Sequence, residues 1–212
     1  MNFSTDRDLL VYEPTVFTDA PFVAQQRLHV TDAALSGTQL TSADADFNLA
    51  QIEAGSVVLV GRTPYEVLQC VNAQTLSVSL LRTRLSDDPI PGPEGTSLDL
   101  KARTFAPQAA LIHDALLRLL GIDPSDPYTP MTEDAVVSLS VMARLEALGT
   151  LERVYSGAAA LSGDNEQLRI KARHYARQFQ LAAAQSTVLV DVDGDGHADE
   201  RRHLGLVRMK RV

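Results

Sequence analysis

The sequence predicts an α+β protein with a β-rich N-terminal half and a helical C-terminal half. Between residues 55 and 83, apolar and polar residues alternate in short runs, which is typical of antiparallel strands with one exposed face. After residue 104, apolar residues recur every three or four positions, which is typical of amphipathic helices. We therefore predict a small antiparallel sheet or barrel within residues 1–97. A helical bundle that ends in a β-hairpin should follow within residues 98–212.

The composition is that of an ordinary globular chain. Its 212 residues, 45% of them hydrophobic, can form one sizeable core or two small ones. No apolar run approaches the roughly 18 residues that would span a bilayer. The first ten residues carry charges where a signal peptide needs an apolar stretch. From these two observations we expect no membrane span and no secretion signal. The single Cys70 cannot form an internal disulfide, which fits a reducing compartment.

The charge of the chain is unevenly distributed. Residues 1–100 hold 5 basic and 13 acidic side chains, whereas residues 101–212 hold 14 of each. Basic residues dominate the last thirteen positions, where Arg201, Arg202, Arg208, Lys210 and Arg211 stand against Glu200. An acidic body with a basic end suits head-to-tail association or docking on a larger assembly, with Arg208, Lys210 and Arg211 as partner-binding residues. It differs from the uniformly basic profile of a nucleic-acid-binding protein.

The first quarter of the chain has an irregular pattern. Residues 8–17 could form a short helix that ends before Pro14 or an extended segment, and both remain open. Short strands are predicted within Phe22–Val30 and Thr38–Leu40, because turn-forming residues separate their apolar runs.

Three strand-like runs joined by short polar turns predict an antiparallel meander with one wet face. They are Ser56–Val60, Tyr65–Val71 and Thr75–Arg82. Residues 86–97 follow with three Pro and two Gly among twelve residues, a composition that can hold neither a helix nor a strand ladder. We place the domain boundary in this stretch.

Four helices are predicted in the second half. The first is capped by Thr104 and ends at Gly121, and the second begins near Pro130 and ends at Gly149. A third, Ala-rich helix covers Leu151–Leu161. Asp164 and Gln167 form a capping arrangement for the last helix. The last helix buries a stripe of apolar residues, namely Leu168, Ala172, Tyr175, Phe179 and Ala182.

The opposite face of the last predicted helix is basic. Arg169, Arg173 and Arg177 follow one another at a spacing of four residues. Two interpretations remain: a solvated helix surface, or a ridge that binds an acidic surface of a partner protein.

The sharpest chemical signal is the acidic loop, residues 191–199, between an apolar strand and a basic one. Its Asp side chains and the carbonyl of residue 197 are the hard oxygen ligands that Ca²⁺ prefers. The candidate metal ligands are Asp191, Asp193, Asp195, His197 and Asp199. The loop resembles the first nine positions of an EF-hand loop and, more closely, the loops of dockerin-like and integrin-propeller repeats. Arg202 stands where an EF-hand has its bidentate Glu. Asp-Gly between strands also predicts a metal-free hairpin tip, and both interpretations remain open.

The sequence offers no catalytic constellation. It contains no Gly-x-Ser-x-Gly, P-loop, Gly-x-Gly-x-x-Gly or His-Glu-x-x-His motif. His113 beside Asp114 is expected to be a half-exposed pair on a helix, because a perturbed acid or base needs a cleft and a partner. We predict a protein without enzymatic activity.

Several segments of the C-terminal half resemble the head–tail connector (adaptor or neck) proteins of tailed bacteriophages and related gene-transfer particles. They are Thr104–Gln108, Leu148–Leu151, Ala158–Leu161, the helix through Lys171–Phe179, and the loop Val190–Asp199 with its hairpin. The resemblance covers about residues 100–212 and rests mostly on packing residues.

The resemblance implies a virion structural protein at the head–tail junction, assembled in the host cytoplasm. Such proteins form a ring, commonly of twelve copies, between the portal protein and other neck or tail proteins, with packaged DNA able to pass through. Sequence-specific nucleic-acid binding is not implied, and adaptor, stopper and tail-completion roles remain open. The alternative from another class is a calcium-binding interaction module of the dockerin-like type.

Overall fold

The structure, a computed structural model, describes residues 2–123, 131–163 and 165–204. It confirms the α+β class, with a barrel in the first half and helices in the second. The chain divides into two compact units. Residues 5–106 form the barrel unit, and the described residues after 106 form the helical unit together with residues 2–4.

The barrel unit begins with two short helices and continues as six antiparallel strands. The helices are α1 (Asp6–Tyr12) and α2 (Val16–Asp19), followed by a 3₁₀ turn at Val23–Gln25. The strands are β1 (Gln26–Ser36), β2 (Gln39–Thr41), β3 (Val57–Val60), β4 (Thr63–Asn72), β5 (Thr75–Ser79) and β6 (Gly95–Arg103). They close into a barrel in the order β1-β2-β5-β4-β3-β6. The predicted meander is therefore present as β3, β4 and β5, which pair in sequence order.

The barrel interior is filled by apolar side chains from alternate strand positions. Val58 and Val60 of β3 lie in this core, while Val57 and Leu59 point to the other side of the same strand. All four are buried, and α1 contacts β3. The predicted solvent-exposed face is thus wrong for β3, because α1 lies close to it. The sequence left open whether residues 8–17 form a helix.

A buried ion cluster lies within the barrel unit. The Glu66 carboxylate is almost fully buried and is bound by two arginines, Arg7 and Arg82. Arg82 donates from Nε to Glu66 Oε1 over 2.6 Å, and Arg7 Nε binds the other carboxylate oxygen. Arg7 also donates to the backbone carbonyl of Arg82 over 2.9 Å. The cluster links the start of α1 to β4 and to the chain after β5.

The structure corrects the predicted domain boundary. Strand β6 pairs with both β1 and β3 and so completes the barrel, although the predicted boundary at residues 86–97 assigns most of this strand to the helical half. Residues 86–97 also belong to the barrel unit, since Ile90 bridges to Leu80 and Gly92 lies against the Tyr65 ring. A Cβ on Gly92 would lie 1.9 Å from the Tyr65 hydroxyl oxygen. The boundary lies instead between Ala106 and Pro107.

The helical unit contains three long helices and a hairpin. They are α3 (Ala106–Leu119), α4 (Leu139–Leu161), α5 (Glu166–Gln185), β7 (Thr187–Val190) and β8 (Glu200–His203), with a 3₁₀ turn at Glu133–Ala135 before α4. The first predicted helix is confirmed as α3. The second and third predicted helices are wrong as separate elements, because α4 runs through Gly149 without a break.

Helix α4 lies at the centre of its unit. Residues 145–151 are all buried, and seven consecutive helical positions cover every side of a helix. Gly149 allows α3 and α5 to pack closely against this helix. An added Cβ would lie 2.9 Å from Cγ2 of Ile112 on α3 and 3.3 Å from the Phe179 ring on α5. The glycine that the sequence marked as a helix end is a point of close packing.

Helix α5 packs against α4 through the predicted stripe. Four of its five residues are buried, and Phe179 is half-buried. Tyr175 stacks on Tyr155 of α4 with ring centroids 5.8 Å apart and planes 7° apart. Asn165 caps the helix by accepting the backbone N–H of Leu168 over 3.3 Å. The predicted cap Asp164 lies outside the described residues, and Asn165 takes that role.

The hairpin of β7 and β8 confirms the strand pair predicted after the helices. Val188 and Val190 are fully buried, and β7 bonds on its other side to residues 135–138. The Val137 N–H donates to the Leu189 carbonyl over 3.0 Å. In the described part of the chain, no helix is both long and apolar enough to cross a membrane.

Candidate functional site

The acidic loop is held at both ends by backbone hydrogen bonds. The Asp191 N–H donates to the Ala135 carbonyl over 2.8 Å, and the Asp199 N–H donates to the Val190 carbonyl over 3.0 Å. Val190 pairs with Glu200 as the last rung of the strand ladder. Nine residues are thus closed into a compact loop whose two ends cannot separate without breaking the ladder.

Three carboxylates converge inside this loop. One oxygen from each of Asp191, Asp193 and Asp195 lies within 4.8 Å of the other two. Asp191 is buried, whereas the other two are exposed. This is the alternate spacing that the sequence predicted, and oxygen atoms so placed suit a hard cation such as Ca²⁺.

The same carboxylates also bind the backbone of the loop. Asp191 accepts the N–H groups of Gly194 and Gly196, over 2.7 and 2.8 Å, through its two oxygens. These backbone donors, Gly196 first, hold the pKa of Asp191 below its ordinary value. Asp195 accepts the N–H of His197 over 2.8 Å. The Asp side chains therefore stabilise the loop turns whether or not a cation binds.

Asp199 does not belong to the group of three converging carboxylates. Its Oδ2 accepts the N–H groups of Val192, over 2.9 Å, and Asp193, over 3.4 Å. His197 contributes a backbone N–H bond to the turn, and its predicted carbonyl ligand stays a prediction. Of the five candidate ligands, the structure brings three together.

Arg202, at the position of the EF-hand Glu, bonds elsewhere. Its Nη1 donates to the Leu120 carbonyl near the end of α3, and its Nε and Nη2 pair with Glu200 over 3.0 and 2.7 Å. The guanidinium thus ties the hairpin to α3 within the helical unit.

The three arginines of α5 are exposed, as the sequence predicted. Arg169 donates to the Gly163 carbonyl over 3.0 Å, and Arg173 pairs with Glu166 over 2.5 Å. Steps of four residues turn the helix by about 40°, so Arg169, Arg173 and Arg177 span an arc of about 80°. Arg208, Lys210 and Arg211, the other predicted partner-binding residues, lie outside the described residues.

Two large apolar side chains share this basic face. Ile170 is 55% exposed and Leu181 is 47% exposed. They lie eleven residues apart, close to three full helical turns, and so project from the same side of α5 as Arg173 and Arg177. The outer face of α5 (Ile170, Arg173, Arg177 and Leu181) is thus both basic and apolar.

Sequence reasoning missed a buried polar cluster in the helical unit. His113 is only 6% exposed, so the predicted half-exposed pair with Asp114 is wrong. Its Nδ1 lies 2.9 Å from Oε2 of the fully buried Glu146, and its Nε2 lies 3.4 Å from the Glu133 carboxylate. Glu146 also accepts the N–H of Phe3 over 3.1 Å and the N–H of Ser4 over 2.8 Å. The signal that could have found this cluster is a lone carboxylate within the apolar run of α4.

The hydrogen bonds of this cluster connect the first residues of the chain with α3 and α4 and so have a structural role. The Ser4 hydroxyl donates to Glu146 Oε1 over 2.7 Å, and it therefore engages the carboxylate and leaves the His113 ring to Glu146 and Glu133. Activation of a serine needs the opposite arrangement, with the imidazole accepting the hydroxyl proton. The cluster explains why residues 2–4 belong to the helical unit.

We compared the chain with protein-family models, with curated proteins and with solved structures, and none of the three comparisons gave a match.

Proposed function

We propose that this chain is a non-enzymatic structural protein of a tailed phage or related particle. It acts as a head–tail connector that assembles into an oligomeric ring between the portal protein and the neck or tail proteins. The proposal starts from the sequence resemblance of residues 100–212, and it places the protein in the virion after assembly in the host cytoplasm.

The observation that supports it most is the outer face of α5. Ile170 and Leu181 expose about half of their surface beside Arg173 and Arg177. Exposed apolar side chains rimmed by charge are typical of surfaces that bind other proteins, because their burial favours association and the charges select the partner. An acidic surface on a portal or neck protein would complement this face.

The test replaces Arg169, Arg173 and Arg177 together by Glu. The coding sequence is disrupted in its own genome and supplied again as wild type or variant, and particles are imaged by electron microscopy. We expect disruption to leave filled heads apart from tails, wild type to restore joining, and the triple variant to fail while its purified form melts as wild type does.

A matched control changes the same amount of charge elsewhere on the helical unit. Arg118, Arg144 and Arg153 are exposed residues of α3 and α4. Their replacement by Glu should leave joining intact. Joined particles in the absence of the chain would refute the connector function. Joining that survives the α5 substitutions would refute only the basic face as the binding surface.

A second candidate function is a calcium-binding interaction module of the dockerin-like type. The convergence of Asp191, Asp193 and Asp195 favours it. The three converging carboxylates fall short of the roughly six to eight oxygen ligands that Ca²⁺ prefers, so further oxygens, water among them, must complete the shell and the affinity should be on the order of 10⁻⁴–10⁻³ M. Affinities of this order are typical of extracellular modules. Finding the chain outside cells and absent from particles would therefore favour this function over the first.

A further inference from the structure

An exposed leucine lies at the tip of an ordered turn between β2 and β3. Leu49 is 82% exposed, while Phe47 and Ile52 beside it are buried in the barrel core. The Leu49 N–H donates to Asp46 Oδ1 over 2.8 Å, and the Ile52 N–H donates to the Phe47 carbonyl over 3.0 Å. The turn is thus fixed from both sides, and little conformational freedom remains to be lost when Leu49 binds.

The Leu49 turn, residues 43–53, is acidic. Asp44, Asp46 and Glu53 are exposed on it, and it contains no Lys or Arg of its own. Arg27 reaches the turn from β1 by donating to Gln51 over 2.6 Å. One basic group against three carboxylates leaves an acidic surface around an apolar tip.

The helical unit carries a cleft with the opposite character. It lies between the end of α4 and the start of α5 and has a volume of about 550 Å³. Its lining residues are Ser156, Ala159, Ala160, Gly163, Ala172, Arg169 and Arg173. Small residues form its floor. The bonds from Arg169 to the Gly163 carbonyl and from Arg173 to Glu166 hold the two guanidinium groups at its rim.

We propose that Leu49 of one copy docks into the α4–α5 cleft of a second copy, with the acidic turn facing Arg169 and Arg173. The two surfaces match in both respects that decide recognition, since an apolar tip meets an apolar floor and carboxylates meet guanidinium groups. A second copy is the occupant because the chain itself carries both complementary surfaces.

This contact joins two different surfaces, so in a pair of copies one Leu49 turn and one cleft stay unused, and each can bind a further copy. Such heterologous contacts give rings when the rotation closes and filaments when it does not. The inference deepens the proposed ring and rests on it only for closure. Arg173 lies both at the rim of the cleft and on the outer face of α5, so the triple Glu variant of Arg169, Arg173 and Arg177 should weaken both contacts, whereas the disulfide trap described next isolates the contact between copies.

The test is disulfide trapping between two populations of the full chain in a Cys70→Ser background. One population carries Leu49→Cys, and the other carries Ala160→Cys and a mass tag. Both sites are exposed, so both variants should fold, and thermal melting checks this. We expect mild oxidation of the mixture to give the tagged–untagged dimer in high yield. Leu85→Cys replaces Leu49→Cys as the control, because Leu85 is also an exposed leucine of the barrel unit at 70% exposure.

A charge exchange gives the second readout. Arg169→Glu with Arg173→Glu should reduce trapping by at least about tenfold, and a partner population with Asp44→Arg and Glu53→Arg should restore it. Asp46 is left unchanged because its carboxylate caps the turn. Equal trapping from Leu85→Cys, or no trapping from Leu49→Cys in a mixture at high concentration, overturns the contact.

The two proposals fail separately. If particles need the chain for head–tail joining but no disulfide-linked dimer forms, the proposed contact is wrong and the connector function stands. If the trap works and particles join without the chain, the contact stands and the connector function is wrong.

Discussion

Replacing Asp6 by Asn should stabilise the barrel unit at neutral pH and leave it unchanged in acid. The Asp6 carboxylate accepts the Phe105 N–H over 2.8 Å at the end of β6, and burial raises the pKa of Asp6 to about 6 from 3.8. A raised pKa in the folded state means that folding prefers the protonated acid. The stability contribution is therefore complete below about pH 3.8 and is lost as the pH rises through about 6.

The difference between the two pKa values of Asp6 corresponds to about 3 kcal/mol at about 1.36 kcal/mol for each pKa unit. Because the residue keeps partial contact with water, this value is an upper limit. Asn keeps an oxygen to accept the Phe105 N–H and carries no charge. Above pH 6 the variant should thus be more stable than wild type by up to about 3 kcal/mol, with the difference vanishing near pH 4.

The assay is urea unfolding at several pH values, followed by circular dichroism. Hydrogen exchange of the barrel amides separates their unfolding from that of the helical unit. Asp32→Asn is the control of opposite sign, since the hydrogen bond from the Ser42 hydroxyl lowers the pKa of Asp32. That variant should lose stability above about pH 4 and match wild type below. Parallel pH profiles for wild type and Asp6→Asn would refute the burial of a charged Asp6 as the cause.

Three further predictions concern single features of the fold. Gly149→Ala should cost about 1–2 kcal/mol in urea unfolding, because the clash with Ile112 outweighs the gain in helix propensity; a more stable variant would contradict the close packing. Glu66→Gln should cost at least about 3 kcal/mol, because it removes the buried carboxylate charge that pairs with both Arg7 and Arg82; a loss below about 1 kcal/mol would contradict this. If the acidic loop binds Ca²⁺ near 1 mM, then 10 mM Ca²⁺ should add about 1.4 kcal/mol of stability and raise Tm by about 3–6 °C. Asp193→Asn with Asp195→Asn should abolish that rise, and the same rise in Mg²⁺ or NaCl would show screening alone.

Local patterns in the sequence predicted the elements that depend on neighbouring residues. The strands β3 to β5 follow one another along the chain and pair in that order, so alternation and turns were sufficient to find them. Helix α5 was predicted from its apolar stripe and α3 from its start and end signals. In each case the information lies within about twenty residues.

The missed features depend on contacts between residues far apart in sequence. Strand β6 completes the barrel by pairing with β1, which lies about seventy residues earlier, and a Pro-rich approach hid it. Gly149 looks like a helix end because its local preference is unfavourable by about 1 kcal/mol, yet the approach of α3 requires it. The burial of His113 likewise depends on Glu146 and on the first residues of the chain.

The acidic loop shows why a motif alone left two interpretations open. The hydrogen bonds that close its turns use the same Asp oxygens that a cation would use, so a hairpin tip and a calcium loop need the same residues. They differ at position 202, where a calcium loop needs a carboxylate. Arg202 instead bonds the Leu120 carbonyl and Glu200, so the residue that removes a calcium ligand also fixes the hairpin on α3. The bonds from Gly194 and Gly196 to Asp191 and from Arg202 to the Leu120 carbonyl need no cation, so these contacts support the proposed structural protein more than the calcium-binding module.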